Sequence, residues 1–154
     1  MKALHVQRLL ALVFLLLGGW CLLQPGTVER LVLRPEFYIG NHTSELLISC
    51  FGAQAMLVGT VIWTSRFLPQ TFVVFGLLAS LPFFVFNAYF YFVERVFTEW
   101  MLLDFVGNAC IFALGMWGYR LSTREAADLA KQHSSVRRTD KPLDEFAYLN
   151  RPKG

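Results

Sequence analysis

Long apolar runs, each about as long as a bilayer is wide, alternate along this chain with short polar breaks. Residues 9–28, 46–65 and 67–93 carry no formal charge, and residues 100–119 carry only Asp104. A helix needs roughly 20 mostly apolar residues to cross a ~30 Å hydrocarbon core. The pattern predicts an all-α fold, an integral membrane four-helix bundle over residues 1–120. Its helices are expected at about 6–23, 45–65, 69–93 and 99–119, and a polar cytoplasmic tail with a short helix at 121–154.

The punctuation between the runs supports these bounds. Gln24-Pro25-Gly26 stops the first helix, whose only polar interior group is the Trp20 indole. Its basic start and apolar Leu9–Leu17 have the look of a signal peptide. No A-x-A site follows, however, and Gly19-Trp20-Cys21 puts a bulky Trp where lipoprotein processing wants a small residue, so a retained helix is expected. The connection over 27–44 is too short for a folded domain, and Val28–Leu33 suits an interfacial turn or two. Asn41-His42-Thr43 matches a glycosylation sequon, but it abuts the membrane, which favours a chance match. Thr43 or Ser44 can cap the second helix, with Glu45 in a first turn where an acid complements the helix dipole. Gly52, Ala55 and Gly59 then form a small-residue stripe that admits a close neighbour.

The third run is interrupted by Pro82, which frees the carbonyl of Leu78. An aromatic-rich stretch follows from Phe83 to Phe92. An interfacial belt accounts for Tyr89 and Tyr91. The deeper phenylalanines call for dense packing or for the wall of an apolar pocket. Thr98 can cap the fourth helix, Glu99 falls in its first turn, and Gly107, Gly115 and Gly118 offer another close-packing surface. Ser122-Thr123-Arg124-Glu125 reads as a capping box that opens a short helix to about Gln132. The mixed charges beyond it suit a solvated tail or a docking arm.

Composition agrees. Of 154 residues, 55% are hydrophobic and 16% charged, and the mean hydropathy is +0.46. A soluble domain usually carries about 25% charge. Of the 14 basic residues, only Arg30, Arg34 and Arg95 fall in the two connections on the Glu45 and Glu99 side; the others flank the opposite helix ends or lie in the tail. The positive-inside rule therefore predicts a multi-pass protein of the cell (inner) membrane with both termini cytoplasmic. The cysteines Cys21, Cys50 and Cys110 all lie in apolar runs, without a C-x-x-C pair, and are expected as small buried hydrophobes. A Cys21–Cys50 bridge needs Cβ geometry that sequence does not supply. His5, His42 and His133 are far apart, so no metal site is expected. No cofactor motif is present, and the charge pattern is too mixed for nucleic-acid binding.

One polar constellation remains. At 1.5 Å per residue, Asn87 lies ~9 Å and Asp104 ~7 Å from their helix ends, while Asn108 and Gln54 lie ~13 Å in. All four fall in one half of the membrane, and Asn87, Tyr91 and Glu94 share a helical face. The third and fourth helices are joined by a short turn and must be antiparallel neighbours, so Asn87 can meet Asp104. A carboxylate near hydrocarbon is costly and is kept where it pairs, ligates or carries protons. Two readings follow. In one, Asp104 is a structural clamp that accepts from Asn87, Asn108 or Tyr91, or pairs with Arg95. In the other, Phe83, Phe86 and Phe90 wall a pocket with Asp104 and Glu94 or Glu99 at its polar end. The shallow depth of Asp104 favours the clamp.

Phe51-Gly52-Ala53-Gln54, Phe86-Asn87 and the segment Trp100-Met101-Leu102-Leu103-Asp104-Phe105-Val106-Gly107-Asn108 resemble small bacterial four-helix membrane proteins of the DoxX-like type, within an uncharacterised branch. The resemblance covers residues 8 to 120. It implies a four-helix bundle and, for some relatives, quinone-linked redox chemistry; no ligand set for a quinone or haem accompanies it here. The expected partners are the lipid bilayer and other membrane helices or a homo-oligomer. The expected role is a non-catalytic accessory subunit. A lipophilic small molecule or quinone, bound by an enzyme or a binding protein, is the alternative. A proton-coupled transporter comes third, because no pair of interrupted helices occupies matching halves.

Overall fold

The computed structural model describes the backbone of residues 2–139 and the side chains of residues 2–135. The elements are α1 (Ala3–Leu23), α2 (Pro25–Val32), α3 (His42–Thr64), α4 (Pro69–Leu78), α5 (Leu81–Ala88) and α6 (Leu102–Thr139). Among the described residues there is no β-strand, only an isolated antiparallel bridge between Leu33 and Phe97. The fold is all-α, as expected. Four helical stretches are long and apolar enough to cross a membrane: Ala3–Leu23, His42–Thr64, Pro69–Val93 and Glu99–Ser135.

Two antiparallel pairs build the bundle. In the first, α1 crosses α3 at its glycines. A Cβ on Gly52 would sit 2.5 Å from the Leu22 nitrogen and 2.6 Å from the Gly18 oxygen, and one on Gly59 would sit 2.9 Å from Leu15 Cγ. In the second, α4 and α5 run against the first part of α6. A Cβ on Gly115 would lie 2.9 Å from the Gly76 Cα, and Phe72 occupies the space a Cβ on Gly118 would need. The close-packing surfaces at Gly52, Gly59, Gly115 and Gly118 are thus covered within the bundle itself. They are intramolecular because only a missing side chain lets these backbones come so close. Leu10, Ala11, Ile62 and Ile111 join the two pairs in one apolar core, with Phe14 edge-on to Phe75 at 5.6 Å.

Several boundaries differ from expectation. The cap of α3 is Asn41, whose Oδ1 accepts from the Ser44 N–H at 2.9 Å, so the helix starts at His42 with Glu45 in its first turn. Asn outranks Thr at this position, and Ser44 instead supplies the N–H that Asn41 accepts. The connection after α1 forms a two-turn helix, α2, with Pro25 in its first turn. The third span breaks at residues 79–80 ahead of Pro82, where the Ser80 hydroxyl donates to the Gly76 carbonyl and the helix restarts with Phe84 N–H on the Ser80 carbonyl at 2.9 Å. A buried hydroxyl thus serves a backbone that the proline disturbs.

The third span then ends in a π-turn, Tyr89–Val93, with Glu94 N–H on the Tyr89 carbonyl at 3.2 Å. Arg95 adopts φ 55°, a left-handed stop usually taken by Gly. Finally, Ser122–Glu125 lies inside α6 and opens no separate helix. Hydrogen bonding continues through a sequence with no Pro or Gly between Tyr119 and Thr139 to stop it. Residues 123–135, taken alone, are one exposed helical stretch. The tail beyond residue 139 lies outside the described residues, and with it most of the expected docking arm.

Candidate functional site

Asp104 sits in the opening turns of α6, half-buried, and its Oδ2 is the meeting point of two amides. Asn87 Nδ2 donates to it at 2.5 Å from the last turn of α5. Asn108 Nδ2 donates to the same oxygen at 2.8 Å and to the Asp104 carbonyl at 2.9 Å. Asn108 lies one turn beyond Asp104, so its amide is positioned by the helix itself. Asn87 is held from across the interface by the register that pairs Phe84 with Phe105, rings 6.0 Å apart, and Gly76 with Gly115. Asn87 is fully buried, and its Oδ1 has no hydrogen-bond partner among the described residues.

Both donors are N–H groups, and hydrogen bonds to a charged acceptor are about twice as strong as neutral ones. The three side chains form a polar joint between the third and fourth spans.

The other expected members of the constellation lie elsewhere. Gln54 is exposed and makes no side-chain hydrogen bond among the described residues. Because Gly52 faces α1, a residue two positions on is turned about 200° around the helix, away from the interior. Tyr91 packs edge-on to Phe92 at 4.9 Å, and Glu94 is exposed, accepting from the Tyr89 hydroxyl at 2.7 Å. The π-turn over Tyr89–Val93 widens the helix and rotates both off the Asn87 face. Glu99 is exposed in a 3₁₀ turn, Glu99–Met101. Arg95 makes no ion pair among the described residues.

The phenylalanines do not wall a pocket at Asp104. Phe86 stacks on Phe90 at 4.5 Å, and both meet Phe97 at 6.2 and 5.7 Å, while Phe83 lies 6.4 Å from Phe51. Phe97 is the buried centre of this group, while Phe83 and Phe86 are themselves exposed, so the stretch encloses no pocket beside Asp104. Two grooves occur nearby. One of about 470 Å³ is lined by Glu99, Trp100, Leu102, Leu103 and Val106. The other, of about 510 Å³, is lined by Arg30, Leu31, Leu33, Pro35, Tyr38, Thr98 and Trp100. Asp104 lines neither.

Two further polar clusters escaped the sequence reading. Glu29 is 1% exposed. Its Oε1 accepts from the Ile39 and Gly40 N–H groups at 3.3 and 3.2 Å, and its Oε2 from the Ser44 hydroxyl at 3.0 Å. Gly40 has φ 60°, the left-handed region that favours glycine, so its N–H can turn toward the carboxylate. Glu29 thereby fixes the loop between α2 and α3.

On the next residue, the Arg30 Nε donates to the Tyr38 hydroxyl at 3.1 Å, and the guanidinium lies 5.7 Å over the same ring. Neighbouring Tyr38, chiefly through its hydrogen bond, pushes the Arg30 pKa above its ordinary value, with smaller help from Glu45 and Glu29. The strand-like contact of Leu33 with Phe97 then ties α2 to the connection before α6, through Arg34 N–H to the Val96 carbonyl at 3.0 Å and Thr98 N–H to the Val32 carbonyl at 2.8 Å.

The second missed cluster is Gln7, 2% exposed at the other end of the bundle. Its Nε2 donates to the Ile62 and Ser65 carbonyls at 2.5 and 2.8 Å, and its Oε1 accepts from the Phe67 N–H at 3.1 Å. One amide thus caps the last turn of α3 and aims the chain into the connection to α4. The polar interior of α1 is therefore Gln7, while Trp20 is exposed. Sequence could have flagged Gln7 as an uncharged amide set inside an apolar helix. Nothing in sequence links Glu29 to residues 39–44.

Cys21, Cys50 and Cys110 are free thiols, but Cys50 and Cys110 are exposed and Cys21 is half-buried, so none is the buried hydrophobe expected. Among the described residues no group of His, Cys, Asp or Glu could hold a metal ion. No protein-family model, curated protein or solved structure matches the chain.

Proposed function

We propose that this chain is a multi-pass protein of the inner membrane, with both termini cytoplasmic, acting as a non-catalytic accessory subunit beside other membrane helices. The observation that carries the non-catalytic reading is the joint at Asp104. One carboxylate oxygen, Oδ2, accepts from both Asn87 and Asn108 at 2.5 and 2.8 Å, which ties the acid to the helix interface. A charge held this way serves to fix two helices against each other, the common use of polar groups between membrane helices. The basic residues at the Arg66 side of the bundle and in the tail support the orientation. The likeness to DoxX-like proteins supports a small four-helix membrane protein of this layout.

Asp104→Asn tests the role. It keeps the shape and removes the charge. The accessory reading expects lower thermal stability in mild detergent, with an unchanged set of small molecules leaving the membrane with the protein. A fold that survives while a native lipid or quinone is lost contradicts it.

A second reading, a site for a lipophilic ligand, has one observation in its favour. Asn87 Oδ1 is buried without a partner beside the carboxylate. A hydroxyl-bearing lipophile would supply the missing donor.

A further inference from the structure

The two grooves beside α6 share a wall, Trp100. One has its polar end at Arg30 and Tyr38, on α2 and the loop after it. The other runs from Glu99 down to Leu103 and Val106. Trp100, Leu103 and Val106 follow at i, i+3 and i+6, so they fall on neighbouring parts of one helix face. They are 58–60% exposed. Val106 lies ~10 Å further along the axis than Glu99, at 1.5 Å per residue. The surface thus grades from a cation, through an indole, to bare aliphatic side chains. Trp is enriched where headgroup meets acyl chain.

We propose that these joined grooves seat one zwitterionic phospholipid with an amine headgroup. The inference rests on the membrane reading above. Its phosphate meets Arg30, whose guanidinium keeps its other N–H groups after giving Nε–H to Tyr38. Arginine is suited to phosphate through that planar set of donors. The Tyr38 hydroxyl accepts from Arg30, so its own hydrogen is available for a second phosphate oxygen. The ammonium faces the exposed Glu99 carboxylate. One acyl chain lies along Trp100, Leu103 and Val106.

The charge pattern chooses this occupant. A cation at one groove and an anion at the other complement a zwitterion, whereas an anionic headgroup would leave Glu99 opposed and a diacylglycerol would leave Arg30 unanswered. The site is fixed in place by the Glu29 clasp and by the bonds from Arg34 and Thr98 that join α2 to the segment before α6.

The test uses the full chain, stripped of lipid in mild detergent and titrated with dioleoyl phosphatidylethanolamine, dioleoyl phosphatidylglycerol and dioleoylglycerol. Retention is read by native mass spectrometry. The ethanolamine lipid is expected to be held about tenfold more tightly than dioleoylglycerol, the scale of one charge-assisted hydrogen bond. Arg30→Gln is expected to remove that advantage, and Glu99→Gln to make the ethanolamine and glycerol lipids equal. Val106→Trp, which fills the apolar arm from an exposed position, is expected to weaken retention without lowering the thermal midpoint. Glycerophosphoethanolamine, which lacks chains, is expected not to compete.

Equal retention of dioleoylglycerol, or full retention by both Arg30→Gln and Val106→Trp, overturns the proposal. So does competition by the chain-free headgroup, which assigns the site to a soluble phosphate. Carbonate extraction separates this from the reading beneath it. Release of the chain from membranes contradicts membrane insertion itself, while a membrane-retained chain that ignores headgroups contradicts the lipid site alone.

Discussion

Gly18 and Gly52 face each other across the α1–α3 crossing so closely that a Cβ on either would sit within 2.8 Å of the other's carbonyl oxygen. Neither contact is with a flexible side-chain tip, so the backbones themselves would have to part. Gly52→Ala is expected to destabilise the bundle by about 1–3 kcal/mol, the cost of overpacking a close-fitted interior. Gly107→Ala is the control. Its Cβ would meet only Leu17 Cδ1 at 3.8 Å, ordinary contact, and the effect should stay within about 0.5 kcal/mol. Thermal unfolding in a fixed detergent compares the two.

Gln7 anchors the other end of the same helix pair. Gln7→Leu keeps the apolar bulk but leaves the Ile62 and Ser65 carbonyls and the Phe67 N–H without their partner. A buried group so abandoned costs about 1–3 kcal/mol. The variant is expected to lose at least that much stability, and hydrogen exchange at Phe67 should rise. Unchanged exchange there would show that water replaces the side chain.

Glu29 sets the order of the loop after α2. Glu29→Ala removes the acceptor of three donors, from Ile39, Gly40 and Ser44. Exchange of the Ile39 and Gly40 amides is expected to speed up about tenfold or more, as a loop that loses its ties opens locally. Protease should also cut between residues 36 and 41 more readily. The four long helices should keep their protection, because none of their ladder bonds depends on Glu29.

Much of the architecture was legible because it is written in one-dimensional patterns. The apolar runs marked four spans, the short turn before Glu99 made the third and fourth spans antiparallel neighbours, and a spacing of four placed Asn108 over Asp104. The meeting of Asn87 with Asp104 followed from that adjacency together with depth. The failures share a cause, which is rotation about a helix axis. Depth arithmetic put Gln54 level with Asn108, but the Gly52 face claimed by α1 turned it outward. The π-turn at Tyr89–Val93 likewise carried Tyr91 and Glu94 off the face that an ideal helix would give them. A π-turn has no simple residue signature.

Tertiary pairing was equally hidden. Glu29 reads as one more charge in a polar connection until Gly40 takes φ 60° and presents its N–H. Gln7 reads as the margin of a span until the end of α3 arrives above it. The glycines were legible as close-packing residues, but not as the bundle's own. Which helix comes near each one depends on the whole arrangement.

The joint between the third and fourth spans is tested most directly by a double-mutant cycle on Asn87→Ala and Asp104→Ala, followed by thermal unfolding of the full chain in detergent. A direct bond predicts that the two losses do not add, with a coupling of about 0.6–2 kcal/mol, the range for hydrogen bonds between membrane helices. Losses that add to within about 0.5 kcal/mol would contradict it. Asp104 and Asn87 would then stand side by side without holding the helices together.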